Sequence, residues 1–138
     1  MNPSSPDYRG DSGAIIVGAS TSTVPRRKMV WSNHGARVDV HSWGENITTT
    51  MCQEDPSGMG ICNDSYEQFG GTSGASPIIV GAALSIQGML AAKGRPKLNS
   101  VQMRELLKIG GTAAANPEAG NIGVQPDLKA LIDGGHVN

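Results

Sequence analysis

Several things are missing from this chain, and each absence removes a class of function. It has no large basic patch. Lys and Arg are scattered apart from Arg26-Arg27-Lys28, and the formal net charge is -1. A nucleic-acid or membrane-surface footprint needs a wider cluster than that, so the run reads as a solvated turn and neither partner is expected. No unbroken apolar run is long enough to cross a bilayer, because Gly81, Ser85, Gln87 and Gly88 interrupt Ile78 to Ala92. The N-terminal Met1-Asn2-Pro3-Ser4-Ser5-Pro6-Asp7 lacks a charged region followed by an apolar one, so it does not read as a signal peptide. If the parent protein is exported, its signal is expected upstream.

Cysteine is scarce: Cys52 and Cys62 are the only two. A turn-rich segment containing Pro56, Gly58 and Gly60 separates them, and a bridge closing so short a loop is worth about 3 kcal/mol in the chain-entropy account. A disulfide is the reading adopted, with a pair of buried free thiols as the alternative. Two thiols without nearby partner ligands do not make a tetrahedral metal site. No metal or cofactor is expected from the residues themselves.

What remains is 138 residues, enough for one domain with a modest core. Residues 1–13 read as loop, punctuated by Pro3, Pro6, Gly10 and Gly13. Ala14 to Ala19 is apolar without alternation, the pattern of a short strand buried on both faces in a parallel sheet. Val38-Asp39-Val40 and Ile47 to Thr50 are further strand candidates by β-branched content. Tyr66 to Phe69 is expected to return as a ribbon that delivers the chain to Gly70.

A long helix is expected from Ser73 to Ala92, stopped by Gly94. Pro77 falls within or just past its first turn. Being apolar nearly all round, the helix is expected to be buried on every side, with Gly81, Ser85 and Gly88 allowing close backbone approach. A second helix begins at Asn99, with Gln102 at the capping-box position and Leu98 able to staple against Met103. Val101, Leu106 and Leu107 supply its inner face and Gly110-Gly111 its end. Pro126 opens a last short helix, 127–132, closed by Gly134-Gly135. One firm strand and two weaker ones are too few for a doubly wound sheet. The chain therefore reads as part of an α/β sheet whose other strands lie outside it.

The residues that carry chemistry are Gly70-Gly71-Thr72-Ser73-Gly74-Ala75-Ser76-Pro77. Acyl transfer needs an exposed hydroxyl, a base, and donors aimed at the developing oxyanion. Ser73 follows a glycine turn and begins a helix, where backbone N–H groups are unpaired and the helix dipole favours negative charge. Its own N–H is the candidate oxyanion donor. Ser76, one turn on, reads as catalytic support or as a polar side chain bonded to a backbone carbonyl. On local chemistry alone, a turn followed by a helix cap is the bland alternative for the whole string.

That string resembles the active-serine segment of the subtilisin-like serine proteases, the peptidase S8 family. Gly71, Thr72, Ser73, Ala75, Ser76 and Pro77 match the Gly-Thr-Ser-x-Ala-Ser-Pro motif, and Gly81-Ala82-Ala83 follows as in the family. Ile15 to Ala19 is similar to the family's Val-Ile-x-Val-Gly-Ala strand, Trp31-Ser32-Asn33-His34-Gly35 to its Phe-Ser-x-x-Gly turn, and Val38-Asp39-Val40 to its next strand. Asn99 to Leu107 resembles its penultimate helix. Ser42-Trp43-Gly44 stands where Ala-Pro-Gly is usual, a departure expected to alter a surface loop only.

The resemblance covers residues 14–132, leaving 133–138 as a tail and 1–13 as loop continuing from an upstream region. It implies a three-layer α/β fold with a mostly parallel sheet, present as its C-terminal part. It implies a serine endopeptidase in which Ser73 attacks a peptide carbonyl, with a histidine as base steered by an aspartate. The family's aspartate, histidine and oxyanion-asparagine segments precede the strand at Ala14, and none of their motifs occurs in this sequence. The expected partners are thus a peptide or protein substrate and the N-terminal portion of the catalytic domain, without which the chain is expected to be inactive. The family context suggests a secreted or cell-envelope location and, in the full-length fold, room for structural calcium that no residue here can be assigned to hold.

The histidines present are poor substitutes for the base: His34 and His41 are expected in turns, at or near the surface, and His136 in the tail. Asp39 is expected to be structural. Two rival readings remain. One is a protease-like module that binds without catalysis. The other is an esterase or lipase elbow at Ser73, which needs a buried strand running into the serine, whereas Tyr66-Glu67-Gln68-Phe69 is polar.

Overall fold

The structure is a computed structural model and describes residues 6, 10–51 and 65–137. Cys52 and Cys62 lie outside the described residues, so the expected disulfide does too. Four short strands form one sheet: β1 (Val17–Ser20), β2 (Val40–Trp43), β5 (Thr112–Ala113) and β6 (Val124–Gln125), in the spatial order β1-β2-β6-β5. The β1–β2 and β2–β6 pairs are parallel and β5–β6 is antiparallel. This is the mixed α/β, mostly parallel arrangement that the apolar run at Ala14 implied. A separate antiparallel ribbon joins β3 (Ile47–Met51) to β4 (Ser65–Phe69), with Ile47 opposite Phe69.

Both sheet strands begin later than their sequence suggests. The Ile16 amide donates to the Asp39 carboxylate at 2.8 Å, and the Ile16 carbonyl receives the N–H of Asp39 at 2.9 Å. A side chain thus occupies the first rung, and regular pairing starts only at Val17 and Val40. The consequence is larger at the other end. Ser42 and Trp43 belong to β2, and Ser42 is buried, so the expected surface loop at Ser42-Trp43-Gly44 is corrected to the end of an internal strand. On the outer edge of β1, Ala19 donates to Ser32 Oγ at 2.9 Å and accepts from the Met29 N–H at 3.0 Å.

Helix α1 (Thr72–Ala92) crosses this sheet and contacts β1 and β2. It ends as the sequence predicts: Gly94 takes φ +65°, and the Arg95 amide reaches back to the Leu90 carbonyl at 2.9 Å. Its burial departs from expectation. Gly74, Ala75, Ile79, Ile86 and Leu90 face the core, but Val80 is 55% and Leu84 66% exposed. Gly81 and Gly88 have nothing within contact distance of an added Cβ, so the small-residue face meets no other backbone among the described residues. The reason is simple: the sheet covers one side of a helix that is apolar on both.

The interruptions in α1 do not dilute it as much as the sequence suggested. Within its 21 residues an 18-residue window reaches a mean hydropathy of 1.6, long and apolar enough to cross a membrane by length and composition. Its seat on β1 and β2, with Ile79, Ile86 and Leu90 in the core cluster, is that of a core helix.

Two shorter helices close the core. In α2 (Ser100–Lys108) the capping box is complete: Asn99 Oδ1 accepts from the Gln102 amide at 2.9 Å and Gln102 Oε1 from the Asn99 amide at 2.9 Å. Met103 and Leu107 are buried as an inner face requires, but Val101 is 45% exposed. Arg104 takes that inward place, made possible by an acidic partner at Asp11. A single 3-10 turn, Pro117–Ala119, precedes β6. The last helix, α3 (Leu128–Asp133), is capped by Asp127, whose Oδ1 accepts from the Ala130 amide at 3.0 Å. Val137, in the stretch read as a tail, is buried against the core.

Candidate functional site

The ribbon β3–β4 hands the chain to Gly70, and α1 starts two residues later. Gly71 sits at the N-cap with φ +81°, a left-handed backbone that favours glycine. Its carbonyl accepts from the Gly74 amide at 3.0 Å and the Ala75 amide at 3.2 Å, which closes the first turn without a side-chain cap. Ser73 falls on the outside of this turn and is exposed. Neither its hydroxyl nor its N–H has a protein hydrogen-bond partner among the described residues. An exposed hydroxyl and a free backbone donor therefore stand together at the positive end of a 21-residue helix.

The neighbours of Ser73 hold the turn. Ser76 Oγ donates to the Thr72 carbonyl at 2.8 Å, an internal bond that commits its hydroxyl to the helix. Pro77 lies inside the helix and has no N–H to offer the Ser73 carbonyl four residues back. Gly74 and Ala75 are buried, and a Cβ on Gly74 would come within 2.5 Å of Ile47 Cδ1 on the ribbon. The serine is thus exposed while the residue after it is wedged against β3.

One contributor was missed by sequence reasoning. The Gly71 amide donates to the Gly44 carbonyl at 2.8 Å, and the Gly44 amide donates to the Ser20 carbonyl at 2.9 Å. The end of β1 is thereby linked through Gly44 to the turn that carries Ser73. The only sequence signal was a glycine at the end of a weak strand, too common to single out.

Among the described residues no histidine or carboxylate is hydrogen-bonded to Ser73. His41 is an interior residue of β2 with no exposed surface, which corrects the expectation of a surface histidine. It pairs in register with Gly18, where an added Cβ would lie 2.8 Å from the Ile122 side chain. Neither ring nitrogen has a hydrogen-bond partner of good geometry. Burial holds its pKa below the usual histidine value; Arg26 adds to the effect, and the backbone at Gly123 and Ile122 opposes it. His34 and His136 are exposed, and His34 lies against Gly120. Asp39 accepts from the Ile16 amide and from Arg37, a structural role. Among the described residues no group of His, Cys, Asp and Glu is arranged to hold a metal ion.

The sequence profile of the subtilase family, peptidase S8, matches residues 2–121. No curated protein matches the chain. Among solved structures, the patellamide maturation protease PatA is similar with a TM-score of 0.66 at 22% identity, over 89% of this chain and 44% of that one. The prenylagaramide maturation protease PagA gives 0.65 at 19% identity, over 90% and 42%. The self-cleaved protease domain of PatA gives 0.64 at 22%, over 89% and 43%. The chain spans less than half the length of each of these structures.

Proposed function

Because the chain belongs to the subtilase family, we propose that it supplies the nucleophile of a serine endopeptidase, with Ser73 attacking the carbonyl of a peptide bond. The observation that carries this reading is the exposed Ser73 with its unused N–H at the start of α1. In the first step Ser73 Oγ loses its proton to a base and bonds to the carbonyl carbon. The oxyanion so formed is met by the Ser73 N–H and the positive end of the helix. Collapse breaks the C–N bond as the base returns its proton to the departing amine, leaving an acyl-enzyme that water then hydrolyses. No cofactor enters these steps.

The base, its aspartate and a second oxyanion donor come from a further portion of the catalytic domain. The uncovered face of α1 supports this part of the proposal. Val80 and Leu84 continue into an apolar groove with Ile15, Val17, Ala83 and Met103, on a chain that spans under half of its structural relatives. On this reading the 138-residue chain alone is inactive, since a serine without its base keeps only weak nucleophilicity. A secreted or cell-envelope location follows from the same reading.

A serine-directed phosphonate tests both parts. The chain alone should give no adduct. Mixed with, or fused to, the upstream portion of its own catalytic domain, it should be labelled at Ser73, and Ser73→Ala should not. Absence of label in the complete domain would leave a protease-like binding module. The esterase elbow has lost its footing, because β4 pairs in an antiparallel ribbon and is not a strand of the parallel sheet.

A further inference from the structure

We propose that Gly44 is a positioning residue for Ser73: its backbone fixes where the serine turn sits above the sheet, and the absence of a side chain is what permits it. Two backbone stretches meet here at closer range than side chains allow. A Cβ on Gly44 would lie 2.8 Å from the Ala19 side chain, 2.9 Å from the Gly71 carbonyl oxygen and 3.1 Å from the end of the Trp31 ring. From the other side, a Cβ on Gly70 would lie 2.7 Å from the Gly44 carbonyl oxygen. Contacts under about 3 Å must be relieved by movement, since interiors are close-packed and do not yield evenly.

The direction of that movement is set by what can give. Ala19 is fully buried on β1, and the Gly44 amide is tied to the Ser20 carbonyl, so the sheet side is held. The Gly71 turn has one backbone bond to Gly44 at 2.8 Å, and Ser73 beyond it is exposed. A methyl group at position 44 therefore pushes the serine turn outward and stretches the Gly71–Gly44 bond. Ser73 moves with it, away from groups held elsewhere in the domain. Displacements of about 1 Å at a reacting atom cost on the order of a hundredfold in rate.

The catalytic half of this inference rests on the acyl-transfer reading of Ser73; the geometric half does not. Gly44→Ala and Gly70→Ala are compared with Gly81→Ala, whose site has no atom within contact distance. Amide shifts and hydrogen exchange of the 138-residue chain supply the first measurement. Both contact variants should shift the Gly71 and Ser73 amides and speed exchange at Gly71, and Gly81→Ala should not. If Gly44→Ala fails to fold, Gly70→Ala reads the same contact. Unchanged Gly71 and Ser73 amides in the folded contact variants overturn the proposal.

The second measurement is peptide hydrolysis by the complete catalytic domain. There kcat should fall by about a hundredfold in the contact variants with KM little changed. A loss confined to KM, or an unchanged kcat in both contact variants, overturns the positioning role. A complete wild-type domain without hydrolytic activity defeats the protease reading, and the amide measurement still decides the geometry.

Discussion

Arg104 and Asp11 meet side on, Nη1 to Oδ1 at 2.9 Å and Nη2 to Oδ2 at 2.6 Å. The guanidinium belongs to α2 and is nearly buried, whereas the carboxylate belongs to the loop before β1 and is 44% exposed. Arg37 adds a weaker contact to the same carboxylate at 3.5 Å. The pair pins the loop to the helix at a place where the sequence showed only a scattered charge.

This pairing gives a pH dependence with a definite sign. The Arg104 hydrogen bonds, with a further one from the Gly13 amide, hold Asp11 well below its ordinary carboxylate value. A depressed folded-state pKa means the stabilisation is present above the unfolded value and is lost as pH falls beneath it. Asp11→Asn should therefore melt at a lower temperature than wild type at pH 7. The gap should narrow once pH drops below about 4, the unfolded Asp range. Thermal melts at a series of pH values check this.

His41 works the other way round in chemistry but has the same outcome in pH. Its neutral form is the one that fits inside β2, so its pKa is lower folded than unfolded. The unfolded chain then binds the extra proton, and stability rises with pH through the window just below about 6.5. Urea unfolding between pH 5 and 8 should show wild type losing stability below that value more steeply than His41→Gln or His41→Met. Arg26, bonded to Gln125 Oε1 at 2.9 Å and stacked over Trp43 at 4.7 Å, is the charge that faces the ring. Arg26→Gln should lessen the slope without abolishing it.

Two apolar residues of α1 should respond very differently to truncation. Ile86 is fully buried and Leu84 is 66% exposed. Ile86→Ala should cost about 2–5 kcal/mol, whereas Leu84→Ala should stay within about 0.5 kcal/mol in the isolated chain. In the complete domain Leu84→Ala should become costly if the bare face of α1 is covered there. Chemical denaturation of both forms reads the difference.

Ser73 and Ser76 also separate cleanly. Ser73 makes no side-chain bond, so Ser73→Ala should remove phosphonate labelling of the complete domain with a stability change within about 0.5 kcal/mol. Ser76 Oγ is bonded to the Thr72 carbonyl. Ser76→Ala should keep the label and cost no more than about 0.5–1.5 kcal/mol, the worth of one such bond. Mass spectrometry and thermal melts measure the two effects together.

Local signals were the readable part of the fold. The capping box at Asn99, the stop at Gly94 and the ribbon into Gly70 are decided within a few residues, and all are found where their residue types place them. Errors arose where a distant partner decides. The Asp39 carboxylate takes the first rung of the sheet, so β1 and β2 start late. Arg104 turns inward because Asp11 lies 93 positions away in sequence but beside it in space. His41 is buried because β2 is an inner strand, flanked by β1 and β6. Ser73 was legible from its motif, but Gly44 was not, since a glycine reveals a tight crossing only once both strands of it are seen.

Pro77 has one more consequence. By withholding a rung from the Ser73 carbonyl, it leaves the opening turn of α1 one backbone bond short of a full ladder. The turn that carries Ser73 is held instead by the Ser76 hydroxyl on the Thr72 carbonyl and, from beneath, by the Gly71–Gly44 backbone bond.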